Sequence, residues 1–142
     1  MNGEKLKLEV ELVPRTAWGK NLRTQPPRRE WGKIRTDVCA YQGHKCAICK
    51  AEGRLICHEL WDYDDRNHIQ KLTGFKAVCS MCNNVIHLGH TTVLAEQGKV
   101  GIKKVEERFM KVKQCDLQTF RQHAIQAGFQ HLERSRHQWV WT

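Results

Sequence analysis

An α+β fold is what this sequence predicts, and three observations predict it. Two C-x-x-C turns, Cys46 to Cys49 and Cys79 to Cys82, bracket 29 residues that read as a pair of strands, and a short helical run follows the second turn. Residues 5–13 (KLKLEVELV) alternate strictly, with Leu6, Leu8, Val10 and Leu12 on one side, the period of a half-buried strand. Near the end, two stretches carry apolar residues at helical spacing.

Taken in order, Pro14 ends the first strand, and residues 15–35 then hold seven basic residues against the single acid Glu30. Within that arm WGKNLRT at 18–24 is echoed by WGKIRT at 31–36, copies too short for a solenoid repeat. Pro26-Pro27 imposes an extended stretch between them and forbids one continuous helix. Trp31, Ile34, Val38 and Tyr41 then fall at helical spacing, with Gly43 as the stop. Leu55 to Trp61 reads as a strand, 62–67 (DYDDRN) as an acidic loop, and Leu72 to Val78 as a second strand. Cys79-Ser-Met-Cys82 opens a short helix that carries Asn83 and His87 and ends near Gly89. A helix over 101–113 is striped by Ile102, Val105, Phe109 and Val112. Another over 117–134 is capped by Asp116 and striped by Leu117, Phe120, Ala124, Ala127 and Leu132. These stripes are read as core.

Length allows one domain, 1–142: a strand and basic arm over 1–36, a clamped core over 37–92 and helices over 93–142. The net charge of +9 and pI near 9.4 favour a polyanionic partner, nucleic acid ahead of an acidic membrane surface. Charge that only keeps the chain soluble is the alternative. No run of about 18 apolar residues is present, and the N-terminus lacks the apolar centre of a signal peptide. A cytoplasmic location is therefore expected, and in a reducing compartment seven cysteines argue for metal binding rather than disulfides.

The two C-x-x-C turns fit a structural zinc ion bound by Cys46, Cys49, Cys79 and Cys82, since zinc prefers tetrahedral thiolate sites and each turn presents two sulfurs. A lone C-x-x-C would also suit redox chemistry; two matched ones around a strand pair point to zinc. Four cysteine ligands leave no place for water, so this ion is expected to hold the fold and not to catalyse. Cys39, Cys57 and Cys115 remain as thiols.

Strand, loop, strand and helix pinned by C-x-x-C pairs resembles the ββα-metal, or HNH (His-Me finger), endonucleases. ELVPRTAWGKNLRT, WGKIRTDVCAYQGHKCAICKAEGRL, CHELWDYDDRNHIQKLTGFKAVCSMCNNVIHLG and RSRHQW are similar to an HNH family of bacterial and phage proteins, over nearly the whole chain. The resemblance implies a small zinc-clamped ββα-metal domain with an N-terminal strand and basic arm and a C-terminal helical pair. It further implies a metal-dependent endonuclease that hydrolyses DNA phosphodiester bonds, in a bacterial or phage-infected cell.

By the same resemblance His58 takes the place of the general base and His87 that of the helix ligand for a second divalent ion, Mg²⁺, Mn²⁺ or Ni²⁺. Cys57 stands where an acidic ligand is common, Asn83 where a His is common, and Gly74 about where an Asn is expected. These departures favour a softer ion than Mg²⁺. Glu59 alternates to the strand face opposite His58, and Asp62, Asp64 and Asp65 are loop acids. His44, His68, His90, His123, His131 and His137 are read as surface residues, with His90 close enough in sequence to His87 to share its metal. Arg15, Lys20, Arg23, Arg28, Arg29, Lys33 and Arg35 are the expected phosphate contacts, and Lys103, Lys104, Lys111 and Lys113 a second patch. Trp18 and Trp31 are candidates for base stacking, though burial suits both. A module that binds nucleic acid or a protein partner without cutting is the competing reading.

Overall fold

The computed structural model describes residues 8–17 and 28–142, without the side chains of residues 28 and 29. The start of the expected first strand, Lys20 and Arg23 of the basic arm, Trp18 and Pro26-Pro27 lie outside the described residues, as do the side chains of Arg28 and Arg29.

Helix α1 (Arg28–Tyr41) comes first, then strands β1 (Leu55–Asp64) and β2 (Ile69–Cys79), then helices α2 (Ser80–Ile86), α3 (Leu88–Glu96), α4 (Ile102–Lys113) and α5 (Leu117–Arg134). Strand β3 (Val140–Trp141) follows last. Among the described residues the architecture is thus mixed α+β, five α-helices and one three-stranded sheet ordered β1-β2-β3. The expected helices over 31–41, 101–113 and 117–134 are present, and Asp116 caps α5 by accepting the Thr119 N–H at 2.8 Å.

Several expectations are corrected. Residues 8–13 form no strand and dock on helices instead. Val10 N–H donates to His123 Nε2 at 2.9 Å and Glu11 N–H to the Ile86 carbonyl at 2.8 Å, while Leu8 and Val10 are buried. The alternation was a true record of two faces: Leu8 and Val10 enter the core, while Glu9 and Glu11 line a cavity. Strand β1 continues through Asp64, so Asp62 and Asp64 are strand residues and the loop shrinks to 65–68. Asp64 closes that turn by accepting from the N–H groups of Arg66 and Asn67, each at 3.0 Å.

The helix after the second C-x-x-C ends at Ile86 rather than near Gly89, and α3 starts at Leu88. His87 is the corner between them, with φ −97° and ψ 50°. Tyr41 is 94% exposed and so leaves the α1 stripe; Gln42, one residue on, makes the sheet contact in its place. Ile102 and Leu132, placed in helix stripes, are also exposed.

The hairpin ladder pairs Leu55 with Cys79 and Asp64 with Ile69, and slips once, between Leu60 and Trp61, where Thr73 is the extra residue on β2. Strand β3 joins β2 in parallel through Ile69 and Gln70, a pairing too short to leave a period in the sequence. Behind the hairpin the core gathers Ile48, Val78, Val85, Ile86, Val105, Phe109 and Phe120, with Leu8 and Val10 closing it. The Phe109 and Phe120 rings meet at 4.8 Å. Burying a side chain of that size stabilises by roughly 1.5–3 kcal/mol. That core fixes α2 against α4, and so fixes where the second C-x-x-C turn and His87 stand.

Candidate metal centre and the adjoining cavity

Cys46 and Cys49 sit on the turn after α1, and Cys79 and Cys82 at the junction of β2 and α2. Their four sulfurs all lie within 4.8 Å of one another, and Cys49 Sγ to Cys79 Sγ measures 3.7 Å. Tetrahedral Zn–S bonds of about 2.3 Å place sulfurs about 3.8 Å apart, so the cluster has the right size. Both turns aim backbone N–H groups at sulfur: Ile48 and Cys49 N–H to Cys46 Sγ at 3.4 and 3.5 Å, and Cys82 N–H to Cys79 Sγ at 3.5 Å. Such donors favour thiolate over thiol. A hydrogen bond from Cys82 pulls the Cys46 thiol down to about 4, and Cys82, the partner that keeps the proton, is pushed up. The four residues are positioned to hold one metal ion, and an all-sulfur set fits structural zinc.

Cys46 and Cys82 are buried, Cys49 and Cys79 half-buried. Over that open pair stands Arg108 of α4, with Nη1 3.2 Å from Cys49 Sγ and 3.9 Å from Cys79 Sγ. Burial by itself would lower its pKa, but the sulfurs of Cys49, Cys79 and Cys82 outweigh that and hold the guanidinium charged. Four thiolates around a dication carry two net negative charges, one of which Arg108 offsets. Nothing in the sequence marks Arg108 among the other basic residues of an amphipathic helix.

A cavity of about 920 Å³ opens beside the hairpin. The docked N-terminal segment, β1, the corner at His87 and the end of α5 line it. The structure brings His58 and His87 together there, their rings 5.1 Å apart and edge to face. His58 Nε2 is 2.9 Å from Glu11 Oε2, and the His58 side chain is only 7% exposed. Burial by itself would raise the Glu11 pKa, but the His58 hydrogen bond and the nearby His58, Lys76 and His87 outweigh it and hold the carboxyl below its ordinary value.

Glu59, expected on the face opposite His58, also lines this cavity, as do Glu9 and Asp62. His90 and His131 line it too. Burial lowers the pKa of His131, and His123 is likewise drawn into the fold as the acceptor for Val10, so neither is a plain surface residue. Cys57 and Asn83 are not among the described residues that line the cavity: Cys57 is buried opposite Ala77 on the ladder, and Asn83 stands within α2, its carbonyl accepting the His87 N–H at 3.0 Å. Gly74 pairs with Leu60 in the ladder, beside the slip.

Of the basic arm, Arg15 is exposed on a single 3-10 turn (Arg15–Ala17) and lines the cavity mouth, while Lys33 and Arg35 are exposed on α1. Trp31 is half-buried against Phe75, the rings 6.2 Å apart. No described helix is long and apolar enough to cross a membrane.

Compared with protein-family models, curated proteins and solved structures, the chain finds no match.

Proposed function

We propose that this protein is a metal-dependent endonuclease of the HNH type that hydrolyses DNA phosphodiester bonds, with His58 as general base and His87 as an imidazole ligand of a divalent ion. The observation that carries the reading is the pair of imidazoles from β1 and the α2–α3 corner, 5.1 Å apart at the wall of an open cavity, with His87 capping the helix that carries Cys82.

The cavity's charge argues for a cation. Glu9, Glu11, Glu59 and Asp62 line it against the two arginines Arg15 and Arg134, an acidic excess in a chain whose net charge is +9. Four carboxylates repel a bare phosphate, whereas a divalent ion among them attracts one. Hard oxygens, which the Cys57 thiol does not offer, are thus at hand from Glu9, Glu59 and Asp62, which suits Mg²⁺ or Mn²⁺. Such an ion supplies Lewis-acid stabilisation of the phosphate and the leaving oxygen. The arm carrying Arg15, Lys20, Arg23, Arg28, Arg29, Lys33 and Arg35 supplies the phosphate contacts that hold the duplex.

Supercoiled plasmid incubated with the zinc-loaded protein and Mg²⁺, Mn²⁺ or Ni²⁺ tests the reading. Nicking that needs the added ion and is lost in His58→Ala supports it. Cleavage by neither ion nor protein, alongside salt-sensitive DNA binding, would replace it with the binding module that does not cut.

A further inference from the structure

We propose that Glu11 is the positioning residue of His58, fixing which ring nitrogen carries the proton. The inference rests on reading His58 as the base, and its first test does not need cleavage. A carboxylate only accepts, so a neutral imidazole facing Glu11 Oε2 at 2.9 Å carries its hydrogen on Nε2. The lone pair then belongs to Nδ1, which is the nitrogen able to take a proton from water.

Glu11 is held firmly enough to do this. Its own N–H is bonded to the Ile86 carbonyl at 2.8 Å, and the preceding Val10 N–H to His123 Nε2 at 2.9 Å. Leu8 and Val10 anchor the segment in the core. The carboxylate is thus delivered by backbone docked on α2, the helix that His87 caps. His58 is 7% exposed at its side chain and Glu11 39%, so the ring has little freedom to trade this partner for water. Lys76, opposite His58 on the ladder, and His87 both lie near enough to favour the charged form of Glu11.

In the step itself Nδ1 takes one proton from water as the water oxygen forms its bond to phosphorus. The bridging oxygen leaves with the electron pair and is protonated by solvent. The imidazolium so formed keeps its Nε2–H on Glu11, whose negative charge stabilises it. A merely structural pair, tying the N-terminal segment to the hairpin, would set the ring form but leave kcat unmoved.

The experiment compares wild-type protein with Glu11→Ala and Glu11→Gln, each checked for full zinc content and an unchanged thermal midpoint. Long-range ¹⁵N–¹H spectra of the imidazoles, with His58→Ala for assignment, should show His58 as the Nε2–H form in wild type. They should show a mixture of both forms in Glu11→Ala. Glu11→Gln keeps an acceptor oxygen and should restore the wild-type form. In plasmid nicking, kcat of Glu11→Ala should fall at least about tenfold, part of the roughly 10²–10⁴ a positioned base supplies, with KM for DNA within about twofold. Glu11→Gln should recover part of that loss. Ring signals of His58 in Glu11→Ala that match wild type would overturn the proposal, as would an unchanged kcat. If wild type cuts nothing with any ion, the endonuclease reading fails while the ring spectra still decide whether Glu11 sets the tautomer.

Discussion

The four-cysteine cluster and the histidine cavity share β2 and α2 as supports, yet they are assembled in opposite ways. The cluster takes its sulfurs from two tight turns whose own N–H groups point at them, so each half is made by four consecutive residues. The cavity takes Glu11, His58, His87 and His131 from four separate segments, and Glu11 reaches His58 across 47 residues of sequence. The first is a local motif closed by a metal. The second exists only after the N-terminal segment has docked on α2. A disturbance of the cluster should therefore undo both regions, whereas a disturbance of the cavity should leave the cluster intact.

The largest expected effect follows from that asymmetry. Zinc binding to thiolate sites contributes roughly 10–16 kcal/mol in small zinc domains, against a total stability of about 5–15 kcal/mol for a typical domain. Cys46→Ser or Cys82→Ser should abolish cooperative unfolding at ordinary temperature, while Cys39→Ser changes the midpoint little. Circular dichroism melts with zinc analysis read this, and a folded, zinc-free Cys82→Ser protein would break the comparison.

Next in size is the converse experiment. His87→Ala should reduce metal-dependent nicking by about a hundredfold or more, as loss of a metal-held stabilising group does, with zinc content and melting unchanged. Loss of the structural zinc along with activity would show that the two regions are not separable.

A smaller effect is expected at Arg108. Arg108→Met keeps the helix and much of the packing but strips the charge from the open sulfurs Cys49 and Cys79. Stability should fall by about 1 kcal/mol, a charged hydrogen bond discounted for exposure, and zinc should pass faster to a chelating dye. Release at the wild-type rate would leave Arg108 without a role at the cluster.

The smallest change is at the cavity's outer wall. Arg134 donates to Asp65 at 2.7 and 3.0 Å, and this bond holds the Asp65 carboxyl below its ordinary value. A lowered folded-state pKa means stability that is fully present above the ordinary aspartate value and is lost as pH falls through the lowered one. Asp65→Asn should cost about 0.5 kcal/mol near neutrality, an exposed pair being worth little. The gap from wild type should close below about pH 4; a gap of constant size down to pH 2 would mean the pair is not electrostatic.

The same asymmetry governs what the sequence revealed. Cys46, Cys49, Cys79 and Cys82 were legible because ligand spacing within a turn is itself the geometry. The helices over 102–113 and 117–134 were legible because their core stripes, centred on Phe109 and Phe120, keep one period over three or more turns. Glu11 was hidden by its own pattern. On an alternating segment it falls on the polar side and reads as solvent-facing, but that side faces the cavity. Alternation sets Glu59 opposite His58 on β1 but does not show that the cavity reaches both residues. Strand β3 is two residues long and carries no period at all.

Strand β2 lies between β1 and β3, but β3 covers it only at one end, from Ile69 to Leu72, where Thr142 accepts the Leu72 N–H. At the other end a side chain stands in for a strand. The Gln42 amide accepts the Ala77 N–H at 2.8 Å and donates to the Ala77 carbonyl at 2.9 Å, with the Ala47 N–H on the same oxygen. A bare β-edge is a template on which a second chain can add a strand, the route to sticking and to fibres. Closing this edge at both ends, once with a two-residue strand and once with a single amide, shortens the template that β2 offers to other copies of the protein.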